Sequence, residues 1–491
     1  MIVINWLIYL KKKKDNLSLF QSLSPFIDFM ASTDMDKIHE VTKVFPPSLS
    51  ATEISLPLTM YDTLWFKFHP VERLFFYQIT DLAHHFFYSE IIPKLKQSLS
   101  LTLSHYLPLA GHLIWPQDAP KPFIYYSSND GVSVTVAEST ADFTRLSGNG
   151  IRDAVELRPL TPELLTSDDK AAVISIQITL FPNQGFCIGL SSHHAVLDGK
   201  SATMFIKSWS YLCKQSDKDA NLLLELIPSF DRTVIKDPTG IDMAYINNWF
   251  SFTKSDPKKR SLKVLQTIGG NPNRVRATFQ LSRDDIKKLR NKVLSMVEQN
   301  TGKQSKQLHL STFVLTCAYV FVCLVKAKGG EDNRGTMLGF AADYRSRLEP
   351  PVPANYVGNC VMSHAMVATK GDYTKEDGVA FVAEKLSDMI RGIERGELEG
   401  TKETLENYIE MMKSVPGGIM LGLAGSIQFD VYGSDFGWGR PKKVEIVSID
   451  RGGAIGLAKS RDESGGVEVG LVLEKQEMEA FASLFVDGLK N

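Results

Sequence analysis

A central run of two strands and a helix constrains the fold of this chain most. Apolar and polar side chains alternate over residues 172–180, and the turn 181–185 (F-P-N-Q-G) separates them from an apolar run at 186–190. This pattern predicts a β-hairpin. Ten residues follow, Ser191 to Lys200 (S-S-H-H-A-V-L-D-G-K), and the spacing of apolar residues over 201–212 then predicts a helix. The ten-residue segment therefore joins a strand to a helix, where binding chemistry is often located.

Strand and helix patterns also alternate irregularly along the rest of the chain. Apolar periodicity predicts helices at 91–106, 312–326 and 402–412, and strands at 275–281 and 467–473. The combination predicts an α/β fold with mixed sheets.

The length of 491 residues predicts two domains rather than one. Residues 35–213 contain the central segment and form the first domain, 214–260 are mostly polar and form the inter-domain connection, and 261–491 form the second domain. Residues 1–34 begin with a mostly apolar stretch of ten residues, too short to span a bilayer, and four lysines follow. This order is the reverse of a secretory signal. We interpret 1–34 as a disordered or non-native extension and expect no membrane association.

Charge and cysteine content exclude several classes of function. The chain has 55 Lys and Arg residues against 56 Asp and Glu, a formal net charge of −1, so nothing favours a nucleic-acid partner. Its five cysteines are dispersed and form no C-x-x-C pair. That distribution is typical of reduced, buried thiols in a cytosolic protein rather than of disulfides or a zinc site.

Two adjacent histidines in the central segment are candidates for acid–base chemistry. Imidazole is the side chain best suited to taking up a proton near neutral pH. Taken alone, His193 and His194 also fit a purely structural role. A metal site made by both histidines and Asp198 is not favoured, because neighbouring side chains on a strand point apart and no further ligand motif accompanies them.

A second segment, Asp435 to Pro441 (D-F-G-W-G-R-P), places two glycines around a tryptophan. Glycine permits tight backbone geometry, so the segment predicts a rigid loop. Taken alone, it is a structural turn with an aromatic plug.

Together, H-x-x-x-D-G at 194–199 and D-F-G-W-G at 435–439 resemble the plant BAHD acyltransferase family, over roughly residues 37–490. Y-V-G-N-C at 356–360 looks like the Y-F-G-N-C segment of the anthocyanin and flavonoid glycoside branch, with Val in place of Phe. F-P-N-Q-G-F and Y-G-S-D-F-G-W-G look most like phenolic glucoside malonyltransferases. Further segments that carry the resemblance are L-P-L-T at 56–59, L-P-L-A-G at 107–111 and D-Y-R-S-R-L at 343–348.

The resemblance implies two α/β domains of chloramphenicol-acetyltransferase-like topology, each a mixed sheet with flanking helices, and an active-site channel at their interface. It makes His194 the general base and His193 a packing neighbour. It gives Asp198 a structural role, pairing with an arginine that holds the loop, and the sequence leaves Arg276 and Arg283 open as that partner. The second motif is then structural and shapes the CoA channel, through Asp435, Phe436, Gly437, Trp438 and Gly439.

The implied reaction transfers a malonyl group from malonyl-CoA to a sugar hydroxyl of a phenolic, flavonoid or anthocyanin glucoside. Imidazole takes the hydroxyl proton as the oxygen attacks the thioester, and no G-x-S-x-G elbow indicates a covalent intermediate. The protein is expected to be a cytosolic monomer without a permanent cofactor or metal. Two alternatives remain: a hydroxycinnamoyl-CoA donor on similar glycosides, and a retired relative that binds a small molecule without turnover.

Anionic parts of the donor require cations or helix ends nearby. Ser282 and Arg283 lie where the family often has a polar–basic pair, and we expect them to contact CoA, with a solvated helix cap as the alternative. Lys200 is the candidate for the malonyl carboxylate, with an ordinary surface lysine as the alternative. Ser426 is the candidate oxyanion donor.

Overall fold

The computed structural model of the chain describes residues 37–47, 53–215, 221–253, 260–265, 273–301, 308–396, 410, 414–415, 417–462 and 464–490. The expected extension at 1–34 lies outside the described residues, as does the predicted helix at 402–412 apart from residue 410.

The strands of the described residues pair into three sheets. In chain order the strands are β1 (Lys37–Val44), β2 (Ile54–Pro57), β3 (Val71–Gln78), β4 (His112–Ile114), β5 (Phe123–Tyr126), β6 (Val132–Glu138), β7 (Arg152–Asp153), β8 (Lys170–Ala172), β9 (Ile174–Phe181), β10 (Gly185–Ser192), β11 (Arg274–Leu281), β12 (Gly335–Asp343), β13 (Val361–Thr369), β14 (Ile419–Ser426), β15 (Lys443–Ile446), β16 (Ala454–Lys459) and β17 (Val467–Glu474). The first sheet has the order β1-β6-β9-β10-β3-β15, the second β13-β12-β14-β16-β17-β11-β7, and the small third sheet β2-β5-β4-β8.

Helices cover the sheets. In chain order they are α1 (Met60–Thr63), α2 (His84–Phe86), α3 (Ile92–His105), α4 (Leu107–Ala110), α5 (Phe143–Leu146), α6 (Gly199–Gln215), α7 (Ile241–Thr253), α8 (Arg283–Thr301), α9 (Thr312–Lys328), α10 (Lys370–Thr374), α11 (Gly378–Glu394), α12 (Ile449–Gly452) and α13 (Lys475–Lys490). None of the helices among the described residues combines the length and the hydropathy that a membrane span requires.

The predicted central hairpin is present as β9 and β10, which pair antiparallel across a turn where Asn183 has a positive φ of 62°. Both strands are buried along their whole length, although polar side chains alternate with apolar ones in β9. One face of the first sheet packs in the main core of the first half, which includes Trp209 of α6. Phe143 and Leu157 belong to a smaller apolar cluster that also takes in Phe181.

Each large sheet contains a strand from the other half of the chain. β15 pairs antiparallel with β3 in the first sheet, from Lys443 opposite Phe76 to Ile446 opposite Arg73. In return β7 pairs with β11 in the second sheet. The two halves are therefore connected by backbone hydrogen bonds as well as by side chains.

Three features of the fold escaped the sequence patterns. The connection at 214–260 was expected to be irregular, but it contains α7, whose first turn is capped by Asp237 through the backbone N–H groups of Ile241 and Asp242 at 2.9 Å. Strands β13 and β16 were not predicted. β15 ends at Ile446, and the short helix α12, which was not predicted either, follows.

Candidate active site

The central segment lies where β10 ends and α6 begins. The backbone N–H of His193 donates to the carbonyl of Val173 at 2.9 Å and continues the hairpin ladder. The Asp198 carboxylate accepts the backbone N–H of Ser201 at 2.8 Å in the first turn of α6, as N-terminal caps do. The loop 193–198 is therefore held at both ends.

Exposure distinguishes the two histidines. His193 is 1% exposed, and its Nδ1 accepts the backbone N–H of Ala195 at 3.2 Å. His194 is only partly buried. Its Nδ1 is enclosed and has no partner in another described residue, so Nε2 is the ring nitrogen left for a substrate. His194 can meet a ligand and His193 cannot.

Aromatic rings fix the plane of the His194 imidazole. The Trp65 indole lies parallel to it, with 4.3 Å between ring centroids and 7° between planes. Phe68 presents an edge at 6.0 Å. Stacking and edge contacts of this kind are favoured arrangements of aromatic pairs, so the ring has one orientation before any ligand arrives.

Both histidines are held in the neutral form. Burial lowers the pKa of His194 to about 4. A hydrogen bond to its own backbone raises the pKa in part, and the positive charge of Arg73 lowers it slightly further. Burial and the neighbouring His194 likewise lower the pKa of His193 to about 4. A neutral imidazole can accept a proton, so His194 is available as a base throughout the neutral range.

Asn359 fixes the backbone of His194 from the opposite half of the chain. Its Nδ2 donates to the His194 carbonyl at 2.9 Å and to Asp62 Oδ1 at 3.0 Å. The Asn359 backbone N–H also donates to Asp62 Oδ1 at 3.0 Å. Asp62 is fully buried, and its other oxygen accepts the hydroxyl of Thr59 at 2.8 Å. The two bonds of Nδ2 connect the histidine loop to Asp62, so Asn359 positions the loop, while its own Oδ1 is buried without a partner in the described residues.

Asp198 pairs with Arg345 at 2.8 Å, so both arginines proposed from the sequence were wrong. Arg276 on β11 is buried and lies 3.2 Å from Glu445 on β15, and Arg283 is exposed at the start of α8. Asp198 also accepts the backbone N–H of Cys360 at 3.2 Å. The hydrogen bonds of its carboxylate thus hold the loop.

The segment Y-V-G-N-C lies directly against the histidine loop. The Gly358 carbonyl accepts the Arg345 guanidinium at 3.0 Å and the Ser201 hydroxyl at 2.9 Å. A Cβ at position 358 would lie 1.8 Å from Nη1 of Arg232, which in turn donates to the Tyr356 hydroxyl at 2.5 Å. Glycine is required there because any side chain would displace this buried arginine.

The D-F-G-W-G loop lies at the other end of β10. Asp435 Oδ1 accepts the backbone N–H groups of Gly437 and Gly439 at 2.8 and 2.9 Å, and both glycines have positive φ, 105° and 92°. Trp438 presents its ring to Phe186, the second residue of β10, at 5.8 Å. At about 3.4 Å per residue, Phe186 is roughly 24 Å from the end of the strand at His193.

Phe436, the apolar residue of the same loop, is 1% exposed and packs against Trp209 at 4.9 Å and Tyr77 at 5.7 Å. Lys214 at the end of α6 pairs with Asp435 at 2.6 Å. The loop thus attaches the second half of the chain to the helix and strand that flank the histidines.

The donor-binding candidates occupy different places. Lys200 lies in the first turn of α6 and pairs with Asp343 at 3.3 Å. Ser426 at the end of β14 accepts the backbone N–H of Gln428 at 3.1 Å and lines a cavity with Arg73. Ser282 and Arg283 begin α8, and the Ser282 hydroxyl donates to Asp285 at 2.6 Å in a capping arrangement.

Arg73 on β3 is a cation that the motifs did not indicate. It is 3% exposed, and burial lowers its pKa to about 10. Its guanidinium donates to Thr203 Oγ1 at 2.9 Å and to the Gly199 carbonyl at 3.4 Å. Its Nε is buried and has no hydrogen-bond partner within the described part of the chain.

Sequence reasoning thus found the histidine loop but missed the residues that hold it. Arg345 and Asn359 lie in segments that carry the family resemblance, although the sequence did not assign them a role, and Asp62 lies just beyond the segment L-P-L-T. Trp65 and Arg73 lie outside those segments, and nothing local in the sequence marks them.

The chain matches the model described as Transferase family over residues 37–487. It is 47% identical to phenolic glucoside malonyltransferase 1 of Arabidopsis thaliana over 464 residues, 93% of this chain and 98% of that protein. It is 44% identical to malonyl-CoA:anthocyanidin 5-O-glucoside-6''-O-malonyltransferase of the same plant, over 92% of this chain and 98% of the relative.

Among solved structures, vinorine synthase superposes with a TM-score of 0.65 at 20% identity and covers 91% of this chain and 98% of its own. That likeness shows the expected two-domain α/β architecture. The family model also matches nearly the whole described chain, from residue 37 to 487. The chain belongs to the Transferase family, the BAHD acyltransferases.

Proposed function

We propose that this chain transfers a malonyl group from malonyl-CoA to a sugar hydroxyl of a phenolic, flavonoid or anthocyanin glucoside. The observation that carries the proposal is the partly exposed, neutral His194, held in one orientation by Trp65 and Asn359. The choice of donor and acceptor class is supported by the names of the two Arabidopsis relatives.

The proposed mechanism is direct transfer. His194 Nε2 accepts the proton of the sugar hydroxyl as the oxygen attacks the thioester carbonyl, and a C–O bond forms. The tetrahedral intermediate collapses, the C–S bond breaks, and the CoA thiolate receives the proton from the imidazolium. A positioned base of this kind contributes about 10²- to 10⁴-fold to the rate. Ser426 is the proposed donor to the oxyanion.

Two cations are proposed for the malonyl carboxylate. Lys200 is partly exposed and already pairs with Asp343. Arg73 is buried, and its charge acts on His194. A guanidinium suits a carboxylate because it offers two parallel donors. Lys200→Ala and Arg73→Lys, each assayed with malonyl-CoA and acetyl-CoA, distinguish the two residues. Substitution of the residue that binds the malonyl carboxylate will raise KM for malonyl-CoA and leave KM for acetyl-CoA unchanged.

We further infer the domain limits 35–213 and 261–491, with 214–260 as the connection, and a cytosolic monomer that has no permanent cofactor. The packing of the sheets supports the limits, apart from the two exchanged strands. All five cysteines are buried and no disulfide joins them, which fits a reducing compartment.

Ser282 and Arg283 are proposed to contact CoA at the start of α8.

A donor panel tests the proposed reaction. The purified chain is incubated with a phenolic glucoside and malonyl-CoA, acetyl-CoA or coumaroyl-CoA in turn, and products are identified by mass. We expect the product formed with malonyl-CoA to gain the mass of one malonyl group. We also expect kcat/KM to be highest for malonyl-CoA among the three donors. A strong preference for coumaroyl-CoA overturns the malonyl donor and favours the hydroxycinnamoyl alternative. Binding of a glucoside without turnover of any donor favours the retired relative.

A further inference from the structure

Two histidines and a glutamate converge at the outer edge of the first sheet, away from the histidine loop. His39 Nε2 lies 3.1 Å and His84 Nε2 lies 2.7 Å from the same oxygen of Glu138, Oε2. The three ligand atoms all lie within 4.8 Å of one another. The three residues come from β1, from the start of α2 and from the end of β6.

The backbone directs His39 to this point. The pairing of β1 with β6 shifts register between Ile38 and Glu40, so His39 is an extra residue without a partner on β6. Bulges of this kind re-aim a side chain that regular pairing would place elsewhere. The three side chains are also accessible, because 22% of His39, 22% of Glu138 and 54% of His84 remain exposed.

The Tyr88 ring packs against both histidines of this cluster. Its ring lies 5.4 Å from that of His39 and 4.8 Å from that of His84. Its hydroxyl is buried and has no hydrogen-bond partner in the portion of the chain that is described. A buried hydroxyl of this kind requires a partner, and a water bound to an ion would be one.

We propose that His39, His84 and Glu138 form a binding site for a divalent transition-metal ion such as Zn²⁺. Imidazole nitrogens and a carboxylate oxygen are ligands that Zn²⁺ accepts, with a water in the fourth position. Bond lengths of about 2.0–2.2 Å in a tetrahedral site place ligand atoms roughly 3.3 Å apart. The two distances to Glu138 Oε2, 3.1 and 2.7 Å, are close to that value, and the ion would replace the protons now shared with Glu138.

The ion would join the start of α2 to β1 and β6, which already pair with each other along their length. β1 is an edge strand that is exposed over most of its length. Because a metal bound only by the folded state stabilises that state by mass action, the proposed role is to hold this edge strand against the sheet.

Zinc titration of the full chain, after removal of metals with EDTA and desalting, tests the proposal. We expect one saturable Zn²⁺ site by calorimetry, a melting temperature that rises with ZnCl₂, and its reversal by EDTA. His84→Gln and His39→Gln should each lower the affinity for Zn²⁺. Loss of a group that only hydrogen-bonds to a metal ligand typically costs about 10- to 100-fold in affinity, and loss of a ligand itself should cost more. Co²⁺ in place of Zn²⁺ should give the visible absorption of a tetrahedral site.

His85→Gln is the matched control, because His85 is an exposed histidine beside His84 and outside the cluster. It should bind Zn²⁺ like the wild type. Acyl transfer by each variant verifies that it is folded. No saturable binding by the wild type, binding that survives both His39→Gln and His84→Gln, or an equal loss in His85→Gln would each overturn the site.

Discussion

The surroundings of His194 determine what its imidazole can do. The Trp65 indole fixes the plane of the ring, Asn359 fixes the backbone, and burial keeps the ring neutral. Asp198, four residues later, is bound to Arg345 and Cys360. Catalytic power is therefore expected to depend on the histidine itself and on the groups that position it.

Replacement of His194 tests its role as the base. His194→Ala should lower kcat by at least about 10²-fold, because a general base is removed from the transition state. Steady-state kinetics with a malonyl donor measure the effect, and an unchanged melting temperature excludes misfolding. His193→Gln is the control, since its ring does not reach a substrate. An unchanged kcat in His194→Ala would remove this residue from the mechanism.

The lowered pKa of His194 predicts the acid limb of the rate profile. The free enzyme needs the neutral imidazole, and burial moves its pKa from 6.5 to about 4. The value of kcat/KM should therefore stay level from pH 7 down to about 5 and fall only as the pH approaches 4. A half-maximal rate near pH 6.5 would show that the ring titrates as an exposed histidine.

Asn359→Ala tests the backbone contact. It removes the 2.9 Å bond to the His194 carbonyl, and one hydrogen bond is worth about 1 kcal/mol. We expect kcat to fall roughly 5- to 10-fold with little change in KM. Asn355→Ala is the matched control, because it loses a 2.8 Å bond to the Ile227 carbonyl. Equal kinetic losses in both variants would contradict the positioning role.

Local sequence was enough to propose His194 and the loop around it as a candidate site, but not to find the groups that hold them. Asp198 and Arg345 are 147 positions apart, and Asn359 is 165 from His194. Only the packing of the two halves brings such pairs together. Arg276 was a reasonable candidate by residue type, but β11 of the second sheet places it beside Glu445 of β15 in the first sheet.

Among the elements, the D-F-G-W-G loop and the histidine loop are at opposite ends of β10. The sequence predicted a rigid turn at 435–441, and two positive-φ glycines and a carboxylate that binds their N–H groups account for its rigidity. Periodicity identified β9, β10 and α6. It missed β16, whose pattern is interrupted by Gly456, and α7, where polar residues interrupt the apolar ones.

Gly437→Ala tests the structural role of this loop. At φ 105° an alanine is strained by about 1–3 kcal/mol, so the melting temperature should fall. Below the transition kcat should be unchanged, because the loop is remote from His194. Gly150→Ala, where a Cβ meets nothing within 4 Å, is the control for stability. A large loss of kcat in a folded Gly437→Ala would indicate a direct role in the reaction.

At the scale of the whole molecule, buried histidines couple stability to pH. Burial lowers the pKa of His193, His194 and His364 to about 4 each. Between pH 6.5 and 4 the unfolded chain therefore binds more protons than the folded chain. The free energy of unfolding should be insensitive to these groups above pH 6.5 and should decrease as the pH falls through that window.

Urea denaturation at pH 7, 6, 5 and 4.5 measures this dependence. His364→Gln removes one of the three groups, together with its 3.1 Å contact to the Tyr344 hydroxyl. The variant is less stable at pH 7, but its stability should fall less steeply on acidification. A slope identical to that of the wild type would show that His364 does not titrate differently in the two states.

The exchange of β15 has a consequence for biosynthesis. The first sheet is built from strands that leave the ribosome early, between residues 37 and 192, but its last position beside β3 is filled by residues 443–446. Until about nine-tenths of the chain has been translated, β3 therefore presents unpaired backbone groups along one edge. An exposed edge of this kind recruits other strands, so the nascent chain needs protection from aggregation for most of its synthesis.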